Sequence, residues 1–205
     1  MPEVTFPNVA IIGAGTMGHG IAQVCAMAGM NVRMFDVSDD ALQRGLDHVH
    51  ANLDKGVSRG KVSEALRDEA LMRLAGSTDL ETAVDCADLV IEAVPEVLSL
   101  KQELFSKIEG FVDEGTVFGT NTSSLSVGSI AGALKRPESL VGLHFFNPVH
   151  IMKLLEVITH TGTADEVVDR IRAFGTEIGK DCIYVKDFPG FATSRLGVCL
   201  GMEAI

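Results

Sequence analysis

This 205-residue chain is poor in positive charge. Seventeen Lys and Arg stand against 28 Asp and Glu, a formal net charge of −11. Such an acidic surface repels nucleic acid and anionic membrane, so neither is expected as a partner. A small anion is not excluded, because local Lys, Arg and helix ends hold one inside an acidic protein. Cysteine is sparse and scattered. Cys25, Cys86, Cys182 and Cys199 form no C-x-x-C, so neither a metal site nor a disulfide framework is indicated. Reduced thiols point to a cytoplasmic compartment. No apolar run reaches the length of a membrane span. The opening MPEVTFPN lacks the basic-then-apolar order of a secretory signal. Internal repeats and low-complexity segments are missing as well. What is present is 46% apolar and 22% charged residues, enough for one sizeable core.

Short apolar runs alternate with longer stretches of helical spacing. Strands are predicted over 9–12, 31–35, 89–94, 117–119, 140–146, 154–159 and 182–186. Helices are predicted over 16–29, 39–59, 63–74, 98–111 and 165–179. Strands that alternate with helices imply an α/β, Rossmann-type doubly wound and mostly parallel sheet. The tail differs. After Asp187-Phe188-Pro189-Gly190, ATSRLGVCLGMEAI reads as the start of a helix with no closing signal. The expectation is therefore a cofactor domain over 1–187, then 188–205 as the beginning of a helical domain cut short.

The first strand runs into Gly13-Ala14-Gly15-Thr16-Met17-Gly18, the pattern G-x-G-x-x-G. Its context is a strand before, a helix after, and Asp36 ending the next strand. Gly13 permits the tight turn, Gly15 lets a pyrophosphate approach the backbone, and Gly18 lets helix and sheet meet closely. Asp36 would bind both ribose hydroxyls and repel a 2′-phosphate, so NAD is expected rather than NADP.

HFFNPVHIMKLLEVI, residues 144–158, holds the second signal. Two strands joined by a turn centred on His150 would set His144 opposite Glu156, Cβ atoms about 5 Å apart. An imidazole steadied by a carboxylate suits a dehydrogenase, which must take a proton as hydride leaves. The polar cluster 120–124 after the preceding strand could orient a carbonyl or carboxamide. Within it, Ser124 reads as a turn or capping residue.

With IIGAGTMGHGIA, IEAVPE at 91–96, NTSSL at 121–125, the histidine segment and DFPGF, the chain resembles the 3-hydroxyacyl-CoA dehydrogenase family, in its bacterial 3-hydroxybutyryl-CoA branch. That resemblance implies reversible NAD-dependent oxidation of a short-chain (S)-3-hydroxyacyl-CoA, in fatty acid and butanoate metabolism. It implies His144 as general base, Glu156 as its partner and Ser123 as a hydrogen-bond donor to the substrate oxygen. It aligns Thr16, Met17, Ala93, Val94, Glu96, Lys101, Asn121, Ser123 and His144 with residues lining the cofactor. Asn147, Asn52, Arg59 and Lys61 become candidates to meet the acyl-CoA. Ser194 stands where many members carry a catalytic-site asparagine. The family's second domain is all-helical and forms a homodimer, and little of it is present here. Two other readings stay open: a dehydrogenase of free hydroxy acids of sugar-acid or carnitine type, and a dinucleotide-binding module without catalysis.

Overall fold

A computed structural model describes residues 4–203. One eight-stranded sheet runs through it: β1 (Asn8–Ile12), β2 (Asn31–Phe35), β3 (Leu74–Ser77), β4 (Leu89–Glu92), β5 (Val117–Thr120), β6 (Leu140–Phe145), β7 (Leu154–Thr159) and β8 (Asp181–Lys186). Their order across the sheet is β3-β2-β1-β4-β5-β6-β7-β8. The first six are mutually parallel, while β7 pairs antiparallel with β6 and β8 follows β7 in parallel. The doubly wound, mostly parallel sheet expected from the sequence is therefore present.

The sheet works because its central strands are apolar on both faces. β4, β5 and β6 are buried at every position. Helices α1 (Gly18–Met27), α2 (Asp39–Ser58), α3 (Glu64–Met72) and α7 (Asp165–Glu177) cover one face. There Ile11, Val32, Leu53, Leu143 and Phe174 belong to one buried cluster. Helices α4 (Leu80–Val84), α5 (Leu98–Ile108) and α6 (Val127–Ala131) cover the other, over Ile12, Val90, Phe105, Phe118 and Ile158. Burial of this much aliphatic and aromatic surface is what holds the layers together. Winding starts at β1, moves out to β2 and β3, then returns to β4 on the far side of β1. The crevice between the C-terminal ends of β1 and β4 is thus a topological switch point, where open α/β sheets bind ligands.

Two differences from the sequence reading have physical causes. The helix predicted over 63–74 stops at Met72, and Leu74–Ser77 forms the edge strand β3. Its small residues carry no periodic signal, but Gly76 leaves room for Leu42 and Leu46 of α2 to pack. The short helices α4 and α6 escape periodicity because each has five residues. They are set by local caps, Asp79 accepting from the Thr82 N–H and Ser126 from the Ser129 N–H. The tail forms α8 (Thr193–Glu203), with none of its side chains buried.

Candidate active site

The glycine loop lies at the switch point, and each glycine has a separate reason. Gly13 has φ +104°, and a Cβ there would lie 2.8 Å from the Ala93 carbonyl oxygen at the end of β4. Neither condition admits a side chain. A Cβ at Gly18 would run into the Gly13 carbonyl oxygen, so α1 can start this close to β1 only with glycine. Gly15 is exposed, and a Cβ there would meet no protein atom within 4 Å. The space in front of it is open for a ligand. Thr16 is exposed and Met17 half-buried beside it. α1 starts without a side-chain cap, and although the His19 N–H donates to the Gly15 carbonyl at 3.2 Å, the end of the helix still favours an anion. Asp36 borders this loop. Its Oδ2 accepts from the Ala14 N–H at 3.0 Å and its Oδ1 from the Ser38 N–H at 3.2 Å. The carboxylate is fixed at the rim of the crevice, so these residues fit a dinucleotide with free ribose hydroxyls.

Opposite the loop, a buried charge group braces the wall after β4. Glu92 accepts from Lys101 Nζ at 2.7 and 2.9 Å, from Thr120 Oγ1 at 2.6 Å, and from the Val94 N–H at 2.7 Å. Both Glu92 and Lys101 are fully buried. Burial pushes the Glu92 carboxyl above its ordinary range, against the opposing pull of Lys101, Thr120 and the Val94 N–H. Lys101 also reaches the Asn121 carbonyl at 3.2 Å and Glu96 at 3.4 Å. It therefore braces the crevice wall from behind, holding Glu92, Glu96 and the Asn121 backbone together. Ala93 and Val94, half-buried, form the wall's surface. Glu96 gathers the next loop, accepting from Thr122 Oγ1 and from the N–H groups of Ser123 and Ser124 at 2.9 and 3.2 Å. Burial works to raise its pKa, but these bonds and the Lys101 charge outweigh it and hold the carboxyl below its usual range.

The loop so gathered carries Asn121 and Ser123. Asn121 Oδ1 accepts from the Phe145 N–H at 3.1 Å, which ties the loop to the end of β6 beside His144. Ser123 is exposed.

β6 and β7 pair with Gly142 opposite Ile158 and His144 opposite Glu156, the register expected from the turn. The connection contains a cis peptide between Asn147 and Pro148, with Asn147 exposed. His144 Nδ1 lies 2.6 Å from Glu156 Oε2. The remaining partners of Glu156 come from the start of the tail. Thr193 Oγ1 donates to Oε2 at 2.8 Å, and the N–H groups of Ala192 and Thr193 donate to Oε1 at 3.1 and 2.9 Å. Burial would raise the Glu156 pKa. The bonds from His144 and Thr193 prevail and keep the carboxyl below its ordinary value. An ionised Glu156 accepts only, so Nδ1 of His144 carries the proton and Nε2 presents its lone pair. The imidazole is almost enclosed, its ring 4.5 Å from that of Phe146 and 6.0 Å from that of Phe191. Ser194 forms no side-chain hydrogen bond among the described residues, so the contact expected of it falls to its neighbour Thr193. Sequence reading missed Thr193, Glu92 and the capping amides. Glu92 alone left a trace, as a carboxylate inside an apolar run with a lysine nine residues on.

A groove of about 1070 Å³ opens between α1, α2, the connection after β6 and the end of α7. Asn52, Arg59 and Lys61, the three residues suggested for acyl-CoA, all line it, together with Lys55, Lys153 and Lys180. Among the described residues none of these cations has a carboxylate partner, and Glu177, the groove's one acidic residue, is bonded to Thr5. An acidic protein thus carries a basic groove among its described residues. Its wall includes Gln23, 2% exposed, whose Oε1 has no hydrogen-bond partner.

Comparison with known proteins follows the same lines. Residues 8–188 match the family "3-hydroxyacyl-CoA dehydrogenase, NAD binding domain". The chain is 42% identical to 3-hydroxyadipyl-CoA dehydrogenase of Escherichia coli over 94% of its own length and 40% of that protein's. It is 40% identical to the human mitochondrial hydroxyacyl-coenzyme A dehydrogenase, over 99% of this chain and 66% of that one. The chain therefore spans between two fifths and two thirds of these relatives. The crystal structure of (S)-3-hydroxybutyryl-CoA dehydrogenase from Ralstonia eutropha superposes with a TM-score of 0.94 at 40% identity, covering 97% of this chain and 70% of that one. The open space before Gly15, the uncapped α1 and the fixed Asp36 agree with the cofactor this family binds, which is NAD. The chain belongs to the 3-hydroxyacyl-CoA dehydrogenase family and comprises its NAD-binding domain.

Proposed function

We propose that the protein is an NAD-dependent dehydrogenase of short-chain (S)-3-hydroxyacyl-CoA, with His144 as its proton-transfer group. The observation that carries this reading is the imidazole with Nδ1 committed to Glu156 and Nε2 free, beside the loop of Asn121 and Ser123. A bound NAD would supply the hydride acceptor in oxidation and the hydride donor in reduction. Gly13, Gly15, Thr16, Met17 and Gly18 with the start of α1 hold its pyrophosphate, Asp36 its ribose, and Ala93, Val94 and Asn121 its far half. His144 Nε2 takes the proton of the C3 hydroxyl, and in reverse gives it to the forming alkoxide. Glu156 stabilises the imidazolium that appears between the two, and its own three donors keep it ionised. The Ser123 hydroxyl donates to the C3 oxygen, and Asn147, exposed on the connection after β6, is assigned to the acyl-CoA by the family resemblance. Coenzyme A carries several negative charges, and the groove of Lys55, Arg59 and Lys61 supplies matching cations.

The same reading implies a cytoplasmic homodimer. The test is an assay of NADH consumption by the full-length protein with acetoacetyl-CoA and with free acetoacetate. Turnover of the thioester is expected. Preference for the free acid would replace this reading with a hydroxy-acid dehydrogenase, and NADH binding without turnover of either would make the chain a binding module.

A further inference from the structure

The groove contains titratable groups that the proposed reaction does not use. Gly20 of α1 sits against Val149, where a Cβ would come within 2.9 Å of the valine Cβ, so the connection after β6 docks directly on α1. Lys180 Nζ locks that connection by donating to the carbonyls of Val149 and Met152. Docking sets His150, one residue after Val149, and His19, one residue before Gly20, along the same groove, close enough for the charge of His19 to act on His150. His19 Nδ1 lies 2.8 Å from the Gly15 carbonyl oxygen, and its ring stacks 5.1 Å from that of His48 on α2. The other charged groups facing the pair are Lys55 of α2, Arg59 and Lys61 after it, Lys153 after β6, and Glu177 and Lys180 at the end of α7. Glu177 is turned to Thr5. Two imidazoles therefore stand in a cationic groove with no free carboxylate.

We propose that His19 and His150 form a proton-coupled phosphate site, in which a phosphate group of coenzyme A binds between the two imidazoles and a proton is taken up on binding. This rests on the acyl-CoA reading above and assigns two further residues to it. An anion between them offsets the burial that otherwise disfavours their charged forms, and each imidazolium N–H then donates to a phosphate oxygen. In the free protein both pKa values lie below the ordinary histidine value. Burial is the main cause for each; for His19 it outweighs the Gly15 carbonyl, which pulls the other way, with His48 adding to it, and for His150 His19, Lys180 and Lys55 add to it. A bound phosphate raises them. Affinity therefore grows as pH falls through the bound-state values, and the gain is complete below the free-state ones.

The test is calorimetry of coenzyme A binding to this chain at pH 6 and pH 8, in buffers of differing ionisation enthalpy. The reference is the His19→Asn/His150→Asn double variant, which cancels the ligand's own titration. The wild type should take up more protons than the double variant near neutral pH. It should bind about tenfold more tightly than the double variant at pH 6 and equally at pH 8. Carbon-bound proton resonances of His19 and His150 in the unmodified chain should titrate at higher pH with coenzyme A present, a readout that needs no substitution. Binding with identical proton counts in the two proteins would overturn the histidine pair and leave the acyl-CoA reading standing. Proton uptake with NADH but none with coenzyme A would assign the pair to the dinucleotide and overturn the proposal. Failure of coenzyme A to bind the wild type at either pH would overturn both.

Discussion

Replacing Lys101 by methionine tests the buried wall of the crevice. Methionine keeps the length and most of the volume of the lysine stem but leaves Glu92 fully buried with its counter-charge gone. Removing one member of a buried ion pair costs about 3–5 kcal/mol. A domain's whole stability is roughly 5–15 kcal/mol, so the loss should be plain in urea denaturation followed by circular dichroism. The pH dependence gives the cause away. The Glu92 pKa is already raised in the folded protein, and loss of Lys101 raises it further. A carboxyl with a folded-state pKa above its unfolded one destabilises as pH rises between the two, and the penalty is relieved below the unfolded value. The variant should therefore recover part of its deficit between pH 7 and pH 5. Combining it with Glu92→Gln should restore all but about 1–2 kcal/mol, because the amide oxygen still accepts from the Val94 N–H without a charge. A loss below about 1 kcal/mol, or one that does not shrink at pH 5, would refute the account of this pair.

Three further outcomes follow from the geometry. Gly15→Ala should leave the urea midpoint unchanged, since a Cβ there meets no protein atom, yet weaken NADH at least about tenfold by blocking the pyrophosphate's approach. Thr193→Val removes one donor to Glu156. It should cost about 1 kcal/mol and raise the Glu156 pKa, so that the acid limb of the pH–rate profile moves to higher pH. Glu156→Gln ends the charge that fixes the imidazole, and should lower kcat while NADH affinity holds, as titration by fluorescence would record.

Much of this site was legible before any coordinates. The glycine loop is a local pattern, and the turn at His150 sets the register by counting, so His144 and Glu156 were found from spacing alone. What escaped has a common cause. Thr193 meets Glu156 across 37 positions of chain, and no spacing rule reaches that far. It comes from beyond the division expected at residue 187, so the dyad draws its last donors from the segment read as the start of another unit. Lys101 was placed beside the cofactor by the family resemblance alone. In the fold a buried carboxylate nine residues earlier claims the ammonium. The edge strand β3 escaped because Leu-Ala-Gly-Ser has no strand signature, and its pairing with β2 is decided by α2 packing over Gly76.

The central claim is that His144 carries the proton and does not help to hold the dinucleotide. The most direct measurement is His144→Ala in the full-length protein, comparing kcat for acetoacetyl-CoA reduction with NADH affinity. The account predicts that kcat falls by about 10²–10⁴-fold while NADH binds as before. Turnover kept within a few-fold of wild type, or parallel loss of NADH binding, would contradict it.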